Sequence, residues 1–312
     1  MADKKYDFTT ASMEYDSEFW VYMKNKNKEL RYLAAGKAEG DEGFKVPAGD
    51  GNKLQGLLRE ENLMRRICTI VDAFGSQYTI LAKDCEDISH WVKEAEAIPI
   101  YEGIRDFSQT AMENHKLCSL VRFDEAFVMD ASFNFKDYLL RRFAKVFGRQ
   151  EENAFISGDG DGKPTGVLHP ELGAEVGCEA QEISADDVIS LFFSLKPEYR
   201  KNATWVMNDA TALHLRKLKD DSGNYLWRST DDSIFGRPVE ISNCMPDMEA
   251  GKLPVIFGDF SYYWIIRRSL PSFKAIVERL APYSQIGYLG TEHLDGKLVR
   301  REAVKAVRIA SA

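Results

Sequence analysis

The spacing of hydrophobic and polar positions changes several times along the chain, and each change predicts an element. Between Leu54 and Met64 the residues Leu54, Leu57, Leu58 and Leu63 recur at helical spacing, which predicts a short helix. Residues 66–83 alternate instead: Ile67, Thr69 and Val71, then Tyr78 and Ile80, predict strands about a Gly75-Ser76 turn. From 84 to 116 charge dominates, with Trp91, Ile98, Ile100 and Phe107 isolated among acids and bases. So few apolar residues cannot build a core, so this stretch is expected to be a hairpin projecting from the body. Beyond Val121 the period lengthens. Phe135, Leu139, Phe143, Val146, Phe147 and Phe155 fall largely at helical spacing behind Ser132 as N-cap, predicting a helix over 132–155. Arg141, Arg142, Lys145 and Arg149 fall on its other faces, and Ser157-Gly-Asp-Gly-Asp-Gly162 ends it.

A second body follows. Ser184 with Asp187 three residues on reads as a capping-box start, Val188, Leu191, Phe192 and Leu195 supply the buried stripe, and Pro197 closes it. Thr204-Trp-Val-Met207 is a short buried strand. Asp209 to Lys219 reads as a helix, and 256–260 and 262–266 as further strands. Helices and strands in this order give a mixed α+β class with two subdomains. The stretch before Gly43 is different. Phe19, Trp20, Tyr22, Met23, Leu30, Tyr32 and Leu33 are scattered among Lys, Asn and Glu. That composition is too polar to form a core alone, so the segment is expected to dock on another surface.

At 312 residues, 44% hydrophobic and 29% charged, the chain can bury a core and is neither disordered nor a membrane protein in composition. No apolar run approaches the roughly 18–20 residues that span a bilayer, and Met1-Ala-Asp-Lys-Lys5 does not open a signal peptide, so synthesis in the cytosol is expected. The net charge of −8, from 41 bases and 49 acids, comes without a Lys/Arg-rich run of the kind that clamps phosphates, which argues against sequence-specific DNA binding. Five scattered cysteines (Cys68, Cys85, Cys118, Cys178, Cys244) form no CxxC pair, and give neither a disulfide framework nor a zinc site.

Several motifs mimic chemistry without supplying it. Gly158-Asp-Gly-Asp-Gly-Lys-Pro-Thr-Gly166 resembles a phosphate loop, but only three residues separate Gly158 from Gly162 and Pro164 occupies the hydroxyl position. As a calcium loop counted from Asp159, its twelfth residue is Pro170, which offers no side-chain oxygen. The five histidines (His90, His115, His169, His214, His293) form no ligand pair, and no nucleophile elbow appears. No catalytic residue, cofactor or metal is expected.

Two runs, Asp137-Tyr-Leu-Leu-Arg-Arg-Phe143 and then Ala154-Phe-Ile-Ser-Gly-Asp-Gly-Asp-Gly-Lys-Pro-Thr-Gly-Val-Leu168, together resemble the signature of tailed-bacteriophage major capsid proteins with the Hong Kong 97-type fold. The likeness continues in family order through Ala203-Thr-Trp-Val-Met-Asn208, Leu218-Lys-Asp-Asp-Ser-Gly-Asn-Tyr-Leu226, Phe235-Gly-Arg-Pro-Val-Glu-Ile-Ser242 and Val255-Ile-Phe-Gly-Asp-Phe-Ser261, with Gly43-Phe-Lys-Val-Pro47 near the start. It covers roughly 43–308. Where the family often has Arg-x-Asp-Gly, this chain has His293-Leu-Asp-Gly296.

The resemblance implies an N-terminal arm (1–50) reaching across neighbours and an extended hairpin (84–116) laid over an adjacent subunit. It implies a peripheral domain (51–83, 117–167 with the spine helix 132–155, and 281–312) and an axial domain (168–280) whose tip meets its copies at the five- and six-fold axes. It further implies a subunit that assembles with itself into pentamers and hexamers of an icosahedral shell around double-stranded DNA, made in the host bacterial cytoplasm and located in the virion. Portal, scaffolding protein and maturation protease would be partners, and no membrane would be. An encapsulin-like nanocompartment shares the fold and is the alternative. Phe19, Trp20, Tyr22, Trp91, Ile98, Ile100 and Phe107 are then the expected inter-subunit contacts. Lys83, Lys93 and Lys116, in or beside the hairpin, are candidates for the isopeptide crosslink that some relatives make.

Overall fold

The computed structural model describes residues 9–24, 32–38, 40, 42–73, 79–81, 109–130, 132–219, 223–225, 227 and 232–310. Helix α1 (Met13–Met23) starts at Ser12, whose hydroxyl accepts from the Tyr15 amide at 3.2 Å. After β1 (Phe44–Lys45) come α2 (Ala48–Glu61) and α3 (Leu63–Ile67). Asn62 separates the two helices: its extended backbone ends α2, and its side chain accepts from the Arg65 amide to cap α3. Strands β2 (Thr69–Asp72), β3 (Thr79–Leu81), β4 (Gln109–Ala111) and β5 (His115–Asp124) and the short α4 (Glu125–Met129) lead to α5 (Phe135–Ser157). At 23 residues this helix is roughly 34 Å long. Its cap is Asn134, which accepts from the Asp137 amide. Ser132, the expected cap, bonds Asp130 instead, so the helix begins and ends slightly later than its apolar period suggested.

The rest of the chain forms β6 (Glu175–Ala180), α6 (Ala185–Ser194), α7 (Pro197–Arg200), β7 (Thr204–Met207), α8 (Asp209–Lys217), β8 (Ser233–Ile234), β9 (Arg237–Ile241), β10 (Val255–Gly258), β11 (Tyr263–Arg267), β12 (Ser272–Ile276), β13 (Gln285–Leu298) and β14 (Val304–Ile309). The capping box read at Ser184 and Asp187 is present on α6. All four residues of β7 are buried.

Twelve of the described strands form two six-stranded sheets, and β3 pairs with β4 in a separate two-stranded one. In the first, the order is β1-β12-β13-β11-β2, with β5 on the opposite edge of β13. In the second it is β6-β14-β10-β7-β9-β8. Sheet membership does not follow chain order. Strands β11 and β12 lie in the first sheet although they follow β10 of the second, and β14 lies in the second although it follows β13. The reason is the length of β13, whose 14 residues pair with β5, β12 and β11.

Helix α5 crosses the face of the first sheet. Phe135, Leu139, Phe143 and Phe147 pack with Phe273, Ile286 and Tyr288, all buried. Two glycines of β13 make this approach possible. A Cβ on Gly290 would stand 2.5 Å from the Phe143 ring, and one on Gly296 would stand 2.5 Å from the Tyr263 hydroxyl. The second sheet has its own core, centred on Trp205 stacked on Phe257 at 4.1 Å. The third apolar cluster, with Phe155, Tyr263, Val206 and Ile256, joins the two bodies.

Candidate functional site

Strands β3 and β4 pair antiparallel, with Thr79 opposite Ala111 and Leu81 opposite Gln109. The chain at 79–81 and at 109–111 therefore runs side by side in opposite directions. Trp91, Ile98, Ile100 and Phe107, with Lys83 and Lys93, lie outside the described residues. Lys116, on β5, is bound to Glu42 at 2.5 Å. Glu42 also meets His293 Nε2 at 3.0 Å. Burial opposes ionisation of this carboxyl, but the hydrogen bonds from Lys116 and His293 prevail and hold it below its ordinary value. His293 and Lys116 thus anchor the segment just before Gly43 through Glu42.

The N-terminal aromatics require a correction. Phe19 is fully buried and Trp20 is 9% exposed within their own chain, among α2, α5 and the first sheet. Trp20 Nε1 donates to Asp50 Oδ2 at 2.8 Å, and Lys136 closes the group on Asp50 at 2.8 Å and Asp16 at 3.2 Å. Tyr22 is half-buried, edge-on to Phe44 at 5.0 Å, and its hydroxyl accepts from the Ala275 amide. The far end of α1 is fixed by Tyr288, whose hydroxyl donates to the Met23 carbonyl at 2.8 Å. The segment docks on another surface, as its composition demanded. That surface belongs to the same chain.

Beneath α5 lies a buried charge cluster that sequence spacing did not reveal. Arg65 donates through Nε to Glu151 Oε2 at 2.6 Å and through Nη2 to Glu151 Oε1 at 2.8 Å and Glu292 Oε1 at 2.9 Å. All three side chains are inaccessible to solvent. Burial pushes the Glu151 carboxyl up to about 7; Arg65 opposes this and the Glu292 charge adds to it. One guanidinium therefore ties α3, α5 and β13 together. A few residues along β13, Asp295 accepts from the amides of Glu113 and Gly296, and His115 Nε2 lies 3.5 Å from it. Burial raises this carboxyl also, against those two amides.

The Gly158–Gly166 loop is a tight turn pinned to β13. Gly160 and Gly162 have positive φ, the Thr165 amide donates to the Gly296 carbonyl at 3.0 Å, and the Tyr263 hydroxyl donates to the Thr165 carbonyl at 2.8 Å. Asp159 is occupied within the loop by the Asp161 amide and Lys163. Among the described residues no group of His, Cys, Asp or Glu is placed to hold a metal ion.

Among the described residues, apolar surface stays open on both bodies. On the second body, Phe193 is 63% and Phe235 52% exposed, beside a cleft of 430 Å³ lined by Val188, Ile189, Leu215 and Ile234. Phe235 and Gly236 form the two-residue turn joining β8 to β9, with φ of +51° and +70°. A bulky residue in the left-handed region is an outlier. On the first body, β5 pairs only with β13 among the described strands, and Leu120 on it is 56% exposed.

The model of the phage capsid family matches residues 42–309. The chain belongs to this family of structural proteins. Among solved structures, it is similar to the capsid of a native GTA particle, computed with C5 symmetry, at 28% identity and a TM-score of 0.66, over 80% of this chain and 90% of that one. The fold also matches Gordonia phage Cozz (12% identity, TM-score 0.57, 81% of this chain and 87% of that one) and Microbacterium phage Oxtober96 (14%, 0.57, 80% and 91%). No curated protein matches the chain. No helix among the described residues is long and apolar enough to cross a membrane.

Proposed function

We propose that this chain is the major capsid protein of a tailed-phage-like particle, closing into pentamers and hexamers of an icosahedral shell that encloses double-stranded DNA. The observation that carries the reading is the likeness to the GTA capsid across 90% of that chain, together with the family match over 42–309. A shell subunit works by repeating the same heterologous contacts until they close a ring. The surfaces suited to this are the hairpin leaving the body at β3 and β4, the free edge of β5, and the Phe193–Phe235 patch. Such interfaces bury on the order of 2,000–5,000 Å². A bulky, strained residue exposed at a turn gains a rationale if a neighbouring copy covers it.

The regions 168–280 and 84–116 serve in this reading as axial domain and extended hairpin, and Trp91, Ile98, Ile100 and Phe107 as hairpin contacts. Portal, scaffolding protein and maturation protease are the partners such a shell needs, and the virion is its location. No observation favours the encapsulin-like alternative. Electron microscopy of the purified full chain tests the proposal: closed shells of uniform diameter are expected, and a protein that stays monomeric at every concentration would overturn it.

A further inference from the structure

The outward face of α5 is strongly cationic. Counting around the helix, Tyr138, Arg141, Arg142, Lys145 and Arg149 fall on the side opposite the buried residues Leu140, Phe143 and Phe147, and all five are exposed. Four of them are positive in a chain whose net charge is −8. The acids of the helix do not neutralise them. Asp137, at the start of the stripe, is bound to Lys53 at 2.6 Å, and Glu151 is buried under the helix. Glu152, at its far end, is turned aside to accept from the Leu63 amide and the Ser242 hydroxyl. The field of Arg141 reaches Asp137 and helps hold that carboxyl down, after the Lys53 hydrogen bond. Among the described residues none of the four cations forms an ion pair. On α2, which packs beside α5, Arg59 is a further exposed cation and Glu60 and Glu61 are exposed acids.

We infer that this face binds the phosphate backbone of duplex DNA, through Arg141, Arg142, Lys145 and Arg149. The inference rests on the shell reading above and assigns the packaged DNA a place on the subunit. The chemistry favours a polyanion over a protein. Protein interfaces have cores depleted of charge and rich in apolar contact, whereas this stripe has four cations and one tyrosine. Arg141 to Arg149 spans roughly 12 Å of helix, and a duplex presents about seven phosphates over that length. Four cations without a base-reading partner give weak, salt-dependent, sequence-independent contact, repeated by every copy in a wall.

The test is binding of a labelled 30-base-pair duplex to the full-length protein over a range of salt concentrations. The variant R141Q/R142Q/K145Q/R149Q is compared with K201Q/K217Q/K252Q/R279Q, which removes the same charge from exposed positions elsewhere. Wild type should bind with a slope of log affinity on log salt that falls by about 3–4 in the stripe variant, at about 0.9 for each phosphate no longer neutralised. The control should keep most of the wild-type slope. Should the fourfold variant fold poorly, R141Q/K145Q and R142Q/R149Q should each lower the slope by about half as much. Equal effects in stripe and control variants, or no binding by wild type, would overturn the inference. So would a stripe variant that binds DNA normally but no longer assembles, because the face would then meet protein. Microscopy of the same samples separates the two levels: shells whose stripe is inert toward DNA refute only this inference, and absence of shells refutes the reading beneath it.

Discussion

Arg65 and Glu151 share two hydrogen bonds, at 2.6 and 2.8 Å, with neither side chain reaching solvent. A third, from Arg65 to Glu292 at 2.9 Å, draws β13 into the same group. Replacing Arg65 with Met would leave two carboxylates buried without their cation. Breaking a buried pair in this way costs about 3–5 kcal/mol, and urea unfolding of R65M should show a loss of that size, larger than that of E151Q.

The same group predicts a pH dependence. Burial raises Glu151 from 4.5 to about 7 in the folded chain. Between those values the folded state holds a proton that the unfolded state releases. The stability this proton contributes is complete below about 4.5 and is lost as pH rises through about 7. Unfolding free energies measured across this window should decline with pH in wild type and decline less in E151Q.

Gly290 and Gly296 set the distance between α5 and the sheet beneath it. Alanine at either position would drive a methyl group to 2.5 Å from Phe143 or the Tyr263 hydroxyl. Overpacking of this kind costs about 1–3 kcal/mol, so G290A and G296A should both lower the thermal midpoint. G49A should not, since nothing stands within 4 Å of a Cβ there.

Phe19 and Phe235 should respond in opposite ways. F19A empties a fully buried site and should cost about 3–5 kcal/mol of subunit stability in urea unfolding. Phe235 is exposed and left-handed, a conformation that asparagine tolerates better. F235N should therefore leave the subunit at least as stable while reducing shell yield in electron micrographs. Unchanged yield would remove Phe235 from the assembly surface.

Local signals in the sequence were reliable where a few neighbouring residues carry the whole instruction. Ser184 and Asp187 mark the start of α6, and Thr204-Trp-Val-Met207 reads as a buried strand and is one. Elsewhere two residues compete for one role, and spacing does not choose between them: Asn134 caps α5 while Ser132 bonds Asp130. The aromatics of α1 announced that they would be covered without saying by what, and the cover is α2, α5 and the first sheet. The Arg65 cluster was illegible because its members come from three distant segments, and an arginine in the sequence looks the same whether buried or solvated. The cationic stripe of α5 stands between these cases. Spacing placed its residues off the apolar face, but only the structure shows that no described acid pairs with them.

The rungs between β3 and β4 have one further consequence. Because Leu81 sits opposite Gln109, the pairing of β3 with β4 fixes the separation of the chain at those two positions whatever the number of residues between them, since closing a longer loop adds cost only logarithmically. Insertions or deletions between those two positions should therefore leave the registers of the two six-stranded sheets as they are.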